Sequence, residues 1–181
     1  MRMFLARLFL FTGLLCIILL SMLLYQRYRP NPLAFQGAVF TRTLSAESTS
    51  VGAPVQLVIP SLSLSLPIIG AEIEDTTWKT SEKAVSYLKS TPLPGKRGNA
   101  VLYGHNWPNL LGPLHQIHIG DRIEIRDADG SATTFQVAFI TTVTPEQISI
   151  LENSKDSRIT LYTCTGFLDS KRLVVTALKV K

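Results

Sequence analysis

Seventeen consecutive residues without a charge, Leu8 to Leu24, divide this 181-residue chain into two physically different parts. Arg2 and Arg7 precede the run, and Arg27 and Arg29 follow it. At ~1.5 Å rise per residue a helix over the run covers about 25 Å. That approaches the roughly 30 Å hydrocarbon core of a bilayer once Arg7 and the Tyr25 to Tyr28 interface residues reach outward. The run is long for the apolar region of a cleaved signal peptide, and no small-x-small site follows Leu24. The expectation is therefore an uncleaved, single-span signal anchor over residues 1–29. Basic residues flank both ends, so charge alone leaves its orientation open.

The anchor also accounts for the basic character of the chain. Four of its 18 Lys and Arg residues flank the apolar run, and from Pro30 onward 14 basic residues face 13 acidic ones. A nucleic-acid groove needs a concentrated excess of Lys and Arg, which this nearly neutral remainder lacks, so nucleic acid is excluded as a partner.

Residues 30–54, "PNPLAFQGAVFTRTLSAESTSVGAP", mix Pro, Gly, Ser and Thr with a brief apolar patch and read as a linker. The remaining 127 residues, 55–181, suffice for one domain with a core of ordinary size. Within them the apolar period is mostly two: 55–70, 99–105, 121–130, 133–143, 157–164 and 172–180 are rich in Val, Ile, Leu, Thr and aromatics. "DADG" at 127–130 suits a hairpin turn, with Gly130 free to take positive φ. Two short helices are expected, over "TSEKAVSYLKS" (80–90, capped by Thr80 or Ser81) and "PEQISIL" (145–151, with Pro145 at its first position). The class is mainly β, a barrel or a sandwich.

Cys16 sits inside the apolar run as a small hydrophobe, which makes Cys164 the one cysteine of the remainder and excludes an internal disulfide there. Such a thiol is either an inert buried side chain or a nucleophile. A nucleophile needs an acid or base partner and a donor for a developing oxyanion. His105 ends the strand-like "NAVLYGH", and Arg172 opens the last strand eight residues after Cys164, where its guanidinium could donate two hydrogen bonds. His115 and His118, spaced i, i+3, have no further Cys, His or carboxylate cluster to complete a metal set, so no metal site is expected.

"TLYTC" (160–164) with Arg172 downstream, and His105 59 residues upstream in "LYGH", resemble the signature of the sortases. "LGPLHQIHIGDRIEI" (111–125) is similar to that family's connection into a strand beginning Gly-Asp, and the N-terminal anchor also fits. The resemblance spans residues 55–181 and implies an eight-stranded β-barrel with short helices, preceded by one transmembrane helix. It implies Cys164 as nucleophile, His105 as general acid and base, and Arg172 as the residue that positions substrate and stabilises the oxyanion. Thr163 and Leu161 are implied as substrate-binding residues.

The implied reaction is cleavage of a Leu-Pro-x-Thr-Gly-like sorting signal through a Cys thioester, followed by transfer to an amine of a cell-wall precursor or another protein. No cofactor is implied. The implied partners are secreted proteins bearing a C-terminal sorting signal, an amine acceptor, and the membrane through the N-terminal helix. The implied topology is N-terminus in and domain out. Gly166 and Phe167 stand where several members carry Pro. With no Asp-Pro-aromatic lid motif before the barrel and no apolar span after it, a class D- or E-like anchoring enzyme is expected. The alternative is a non-catalytic, membrane-anchored β-barrel that binds a peptide or wall polymer. The His-Gly-Cys context of L,D-transpeptidases is absent, since Thr163 and Thr165 flank Cys164.

Overall fold

The computed structural model describes residues 2–27, 33–35, 52–74 and 77–180. Two compact units result, Met1–Pro32 and Leu33–Lys181. In the first, α1 (Arg2–Arg27) contains the apolar stretch Ala6–Tyr25, of mean hydropathy 2.6. Its two aliphatic hydroxyls bond to the helix backbone: Thr12 Oγ1 donates to Leu8 O at 2.9 Å and Ser21 Oγ to Ile18 O at 2.8 Å. Polar atoms satisfied within the helix suit a surrounding without water.

Among its described residues the second unit holds ten strands: β1 (Pro54–Ile59), β2 (Leu64–Ala71), β3 (Ile73–Glu74), β4 (Thr77–Trp78), β5 (Val85–Leu88), β6 (Gly98–Tyr103), β7 (Arg122–Asp127), β8 (Ala132–Val143), β9 (Ser157–Thr165) and β10 (Lys171–Lys179). Eight of them close a barrel in the order β1-β2-β5-β6-β9-β10-β8-β7, and β3 and β4 form a small separate hairpin. This is the expected mainly β, eight-stranded barrel preceded by an apolar helix. β2 with β5 and β6 with β9 pair in parallel, and the other barrel neighbours are antiparallel. The β7–β8 turn closes as expected, with Gly130 at φ +85 and Asp127 N donating to Ser131 O.

Period two holds where one face is wet and fails where both are covered. Residues 55–70 are two antiparallel strands split by a 3-10 turn at Pro60–Leu62, with Ser63 left-handed at φ 50. The helix expected over 80–90 is instead a bend followed by β5, in which Ser81 Oγ only accepts from Lys83 N. All four residues of β5 are buried: Val85 and Tyr87 face the barrel core and Leu88 the outer cluster. A strand covered on both faces does not alternate, so "AVSYL" carried a helical pattern that its pairing with β2 and β6 overrode. The helix expected over 145–151 is a single 3-10 turn, Ile148–Leu151.

Most of the expected linker lies outside the described residues, but Leu33 to Phe35 depart from a spacer. Leu33 and Phe35 are buried among residues on the outside of the barrel wall. The physical reason is the apolar patch itself, two large side chains that gain by leaving water.

Candidate active site

Three neighbouring strands build the site through their register. β9 and β10 pair Cys164 directly with Arg172, and β6 and β9 pair Tyr103 with Tyr162 in parallel. Two residues on, Cys164 is the next outward residue of β9, and His105 lies on the loop that continues β6, tied to β9 through Gly104 N to Tyr162 O at 3.3 Å and Thr163 Oγ1 to Gly104 O at 2.7 Å. Directly paired residues share a face, and residues two apart on a strand share it as well. Cys164 and Arg172 therefore share one side of the β9–β10 wall, at the end where the loop after β6 carries His105.

That side is the outside of the barrel. Ala100, Leu102, Ile159, Leu161, Val175 and Ala177 fill the interior, while Val101, Tyr103, Tyr162, Cys164 and Val174 form a second buried cluster on the opposite face. Tyr103 and Tyr162 stack at 5.5 Å between ring centroids, and Trp78 meets Tyr103 edge-on at 5.3 Å. Phe35 meets Tyr162 edge-on at 5.0 Å. The site rests on an aromatic floor.

Cys164 is buried, with 3% of its surface exposed. Burial pushes its thiol up to about 12 from the ordinary 9.0, opposed by the charge of Arg172 and reinforced by that of Asp169. Burial likewise holds the His105 imidazole below its ordinary 6.5, against the pull of Glu82 and Asp169. The resting pair at neutral pH is thus a thiol and a neutral imidazole.

His105 is half-buried on the loop after β6, where the Trp107 ring stacks on it at 4.5 Å and 11°. Asn106 Nδ2 donates to Asp169 Oδ1 at 3.2 Å, tying this loop to the β9–β10 connection. That connection is tight: Gly166 sits at φ +79, and Leu168 and Asp169 are left-handed at φ 52 and 59. Side chains other than glycine hold that conformation only when their surroundings impose it. Its turn brings Asp169 O and Lys171 O to 2.8 and 2.9 Å from Arg172 Nη1, while Nη2 donates to Ala34 O at 3.1 Å. Arg172 is 4% exposed, and its buried Nε has no hydrogen-bond partner among the described residues. Carbonyl dipoles thus hold a buried guanidinium on the residue paired directly with Cys164.

Two residues expected at the substrate lie elsewhere. Leu161 points into the barrel core, opposite to Cys164, and is fully buried. Thr163, on the same alternation as Leu161, is buried and donates from Oγ1 to Gly104 O at 2.7 Å. It braces the residue before His105. His115 and His118 are exposed, His115 Nδ1 lies 2.6 Å from Gly112 O, and no metal-ligating cluster occurs among the described residues. A shallow depression of about 560 Å³, lined by Asp156, Ser157, Leu178, Lys179 and Val180, lies at the other end of β9 and β10. Sequence reasoning passed over Trp107, Asp169 and the Leu33 to Phe35 segment. Only the segment had a signal, its apolar patch amid Pro and Ser.

The sortase domain family matches residues 57–180 of the chain, the barrel from within β1 onward, His105, Cys164 and Arg172 included. The chain belongs to the sortase family. It is 32% identical to Sortase A of Bacillus anthracis over 124 residues, which is 66% of this chain and 56% of that protein. Among solved structures, Sortase A from Corynebacterium diphtheriae superposes with a TM-score of 0.62 at 30% identity, covering 72% of this chain and 62% of that one. Sortase C-1 from Actinomyces oris gives 0.61 at 31% identity, covering 71% and 75%. The chain spans about half the length of the curated relatives it matches. In this sortase the β9–β10 register that helps close the barrel also pairs Cys164 with Arg172.

Proposed function

We propose that this protein is a membrane-anchored cysteine transpeptidase that cleaves a Leu-Pro-x-Thr-Gly-like sorting signal and transfers the acyl part to an amine. The observation that supports the reading is the direct pairing of Cys164 with Arg172 across β9 and β10, with His105 on the loop that continues the neighbouring strand β6. Cys164 Sγ attacks the threonine carbonyl carbon, and its proton passes to His105. Arg172 donates hydrogen bonds to the oxyanion, which forms next to a charge that no pH change removes. The C–N bond breaks as His105 returns the proton to the leaving amine, and a thioester to Cys164 remains. An incoming amine, deprotonated by His105, attacks the thioester, and the thiol is restored as the new amide forms.

The amine comes from a cell-wall precursor or another protein, and the acyl donor is a secreted protein bearing a C-terminal sorting signal. The length and apolar composition of Ala6–Tyr25 support a membrane anchor, and in this reading the N-terminus is inside and the barrel outside, beside such substrates. The lack of an Asp-Pro-aromatic motif before the barrel supports a class D- or E-like anchoring role. One observation favours the non-catalytic, peptide-binding alternative, the burial of Cys164.

The deciding experiment incubates the full chain in detergent with a set of fluorescent pentapeptide sorting signals and an amine acceptor. Transfer product is expected with at least one peptide from the parent and from none with Cys164→Ala. Product from the variant at the parent's rate, or binding of peptides with no product from either, overturns the reading.

A further inference from the structure

The loop "GHNWPNLLG", residues 104–112, holds the backbone that carries His105 at several points. Gly104 is tied to β9 through both of its backbone groups, its N–H donating to Tyr162 O at 3.3 Å and its carbonyl accepting from Thr163 Oγ1. His105 O accepts from Leu111 N at 3.1 Å, and the side chains of Leu110 and Leu111 are sunk in the barrel core. Between these anchors Trp107 O accepts two bonds, from Leu110 N and from Gly112 N, both at 2.9 Å. Pro108 keeps the Trp107 backbone extended. The loop closes so tightly that a Cβ on Gly112 would lie 2.6 Å from Trp107 O. A backbone held this firmly sets where the indole goes, and it goes onto the imidazole: the Trp107 and His105 rings lie 11° from parallel, with 4.5 Å between centroids. Trp107 is still 38% exposed. An indole left half in water gains little from burial, so core packing does not account for its place.

We propose that Trp107 is a positioning residue for His105, a flat clamp that holds the imidazole plane in the orientation needed to pass a proton between the Cys164 thiol and the leaving amine. The proposal rests on the reading of His105 as the acid and base of acyl transfer, and it adds the group that aims that side chain. A backbone fixed at Gly104 and His105 leaves the two side-chain torsions of His105 to be set, and an aromatic face against the ring restricts both. Stacking occupies a face of the imidazole and leaves its two nitrogens on the edge, where protons are exchanged. The charged groups around the ring act differently. Glu82, from the bend before β5, and Asp169, from the β9–β10 connection, act on it through charge, and Asp169 also accepts from Asn106 Nδ2. The Arg172 guanidinium is held by the carbonyls of Ala34, Asp169 and Lys171. A charge attracts or repels an imidazolium without fixing the plane of a neutral ring. Because the clamp acts on a proton carrier and not on the peptide, its loss is felt in kcat and not in KM.

The test uses the full chain in detergent and the steady-state transfer of a sorting peptide to an amine, with folding of each variant checked by its thermal transition. Trp107→Leu keeps an apolar cover but has no flat face, and it is expected to lower kcat by about ten-fold or more with KM unchanged. Trp107→Phe restores a flat face and is expected to stay within about three-fold of the parent. Unchanged kcat in Trp107→Leu, or equal losses in Trp107→Leu and Trp107→Phe, overturns the clamp. A second arm contains no peptide and follows tryptophan emission as pH falls below 6.5, because an imidazolium quenches an indole stacked on it. Emission of the parent is expected to fall in a step that His105→Asn and Trp107→Phe both lack, while the other tryptophan, Trp78, is buried and common to all three. A parent without that step overturns the stack. Absence of transfer by the parent refutes the acyl-transfer reading, and the clamp's catalytic role with it, even where the quenching step is present. Transfer by the parent with kcat unchanged in Trp107→Leu refutes the clamp alone.

Discussion

The two faces of β9 share nine residues and one backbone, yet they differ in what they can do. Ile159 and Leu161 on the inner face are sealed in a barrel core of aliphatic side chains with Tyr87 and Phe135, with Thr163 beyond them closing a hydrogen bond. On the outer face Thr160, Tyr162 and Cys164 are equally inaccessible. Their cover, however, includes a three-residue segment and pieces of loop. Thr160 Oγ1 donates to Asn99 Oδ1 at 2.7 Å, and Asn99 Nδ2 donates at 3.1 Å to Glu152 O in the loop that closes this face. Burial values alone therefore cannot tell core from site. What separates the faces is whether the covering element is the barrel or something laid upon it.

The sharpest way to break this comparison is to change the same strand on alternate faces. Cys164→Ala, on the outer face, is expected to lower transfer by at least ~10³-fold while the thermal transition stays near the parent's. Arg172→Lys keeps the charge and loses the forked donor, with an expected loss of ~10²-fold in kcat. Leu161→Ala, one turn of the alternation away, is expected to cost about 2–5 kcal/mol in denaturant unfolding, with the folded fraction still turning over at the parent's kcat. Loss of kcat without loss of stability in Leu161→Ala would mean that the faces are not separable.

Thr163 tests the boundary between them. Thr163→Val leaves Gly104 O without its donor at a cost of about 1–2 kcal/mol, and by loosening the residue before His105 it is expected to lower kcat several-fold with KM unchanged. Thr163→Ser should restore most of both, read from steady-state kinetics and a chemical melt.

Titration gives a further comparison. His105 is lowered below 6.5 and Cys164 raised to about 12. The macroscopic profile of kcat/KM should therefore rise through an acid limb below pH 6.5 and hold a plateau beyond pH 9. An acid limb above 6.5 would contradict the burial of the imidazole. For stability the sign follows from the thiol's raised value: its contribution is full below the unfolded value near 9 and lost as pH climbs towards 12.

The smallest effect is at the far end of β9, where Asp156 and Arg158 form a forked pair in solvent, through Arg158 Nε at 2.6 Å and a second contact at Nη2. The pair holds the Asp156 carboxyl at about 2. Its stabilisation is present above the carboxyl's unfolded value of 3.8 and lost as pH falls through about 2. Screened by solvent, Asp156→Asn should cost no more than ~0.5 kcal/mol in a chemical melt at pH 7.

The barrel was legible in the sequence because six of its segments carry β-branched and aromatic runs bounded by Gly, Asn and Asp, and Cys164, His105 and Arg172 were legible from residue type and order. Three things were not. β5 is buried on both faces and so lost the alternation that marks a strand. Leu161 and Thr163 belong to the signature pentapeptide, and a motif in a strand does not state which of its residues face the site; the alternation from Cys164 does. Leu33 and Phe35 sit in a Pro- and Ser-containing stretch whose composition suggests a spacer, and their docking depends on aromatic partners at Trp78 and Tyr162, far away in the chain. Long-range pairing of that kind leaves no local periodicity to read.

The account stands on the outer face of β9 being a covered acyl-transfer site, and intact-mass measurement of the full chain tests this most directly. On mixing with a sorting peptide in the absence of amine acceptor, the predicted result is a mass increase equal to the peptide's acyl portion. That adduct should map to Cys164 by proteolysis and be removed by hydroxylamine as a thioester should be. No adduct on Cys164 in the folded parent would contradict it.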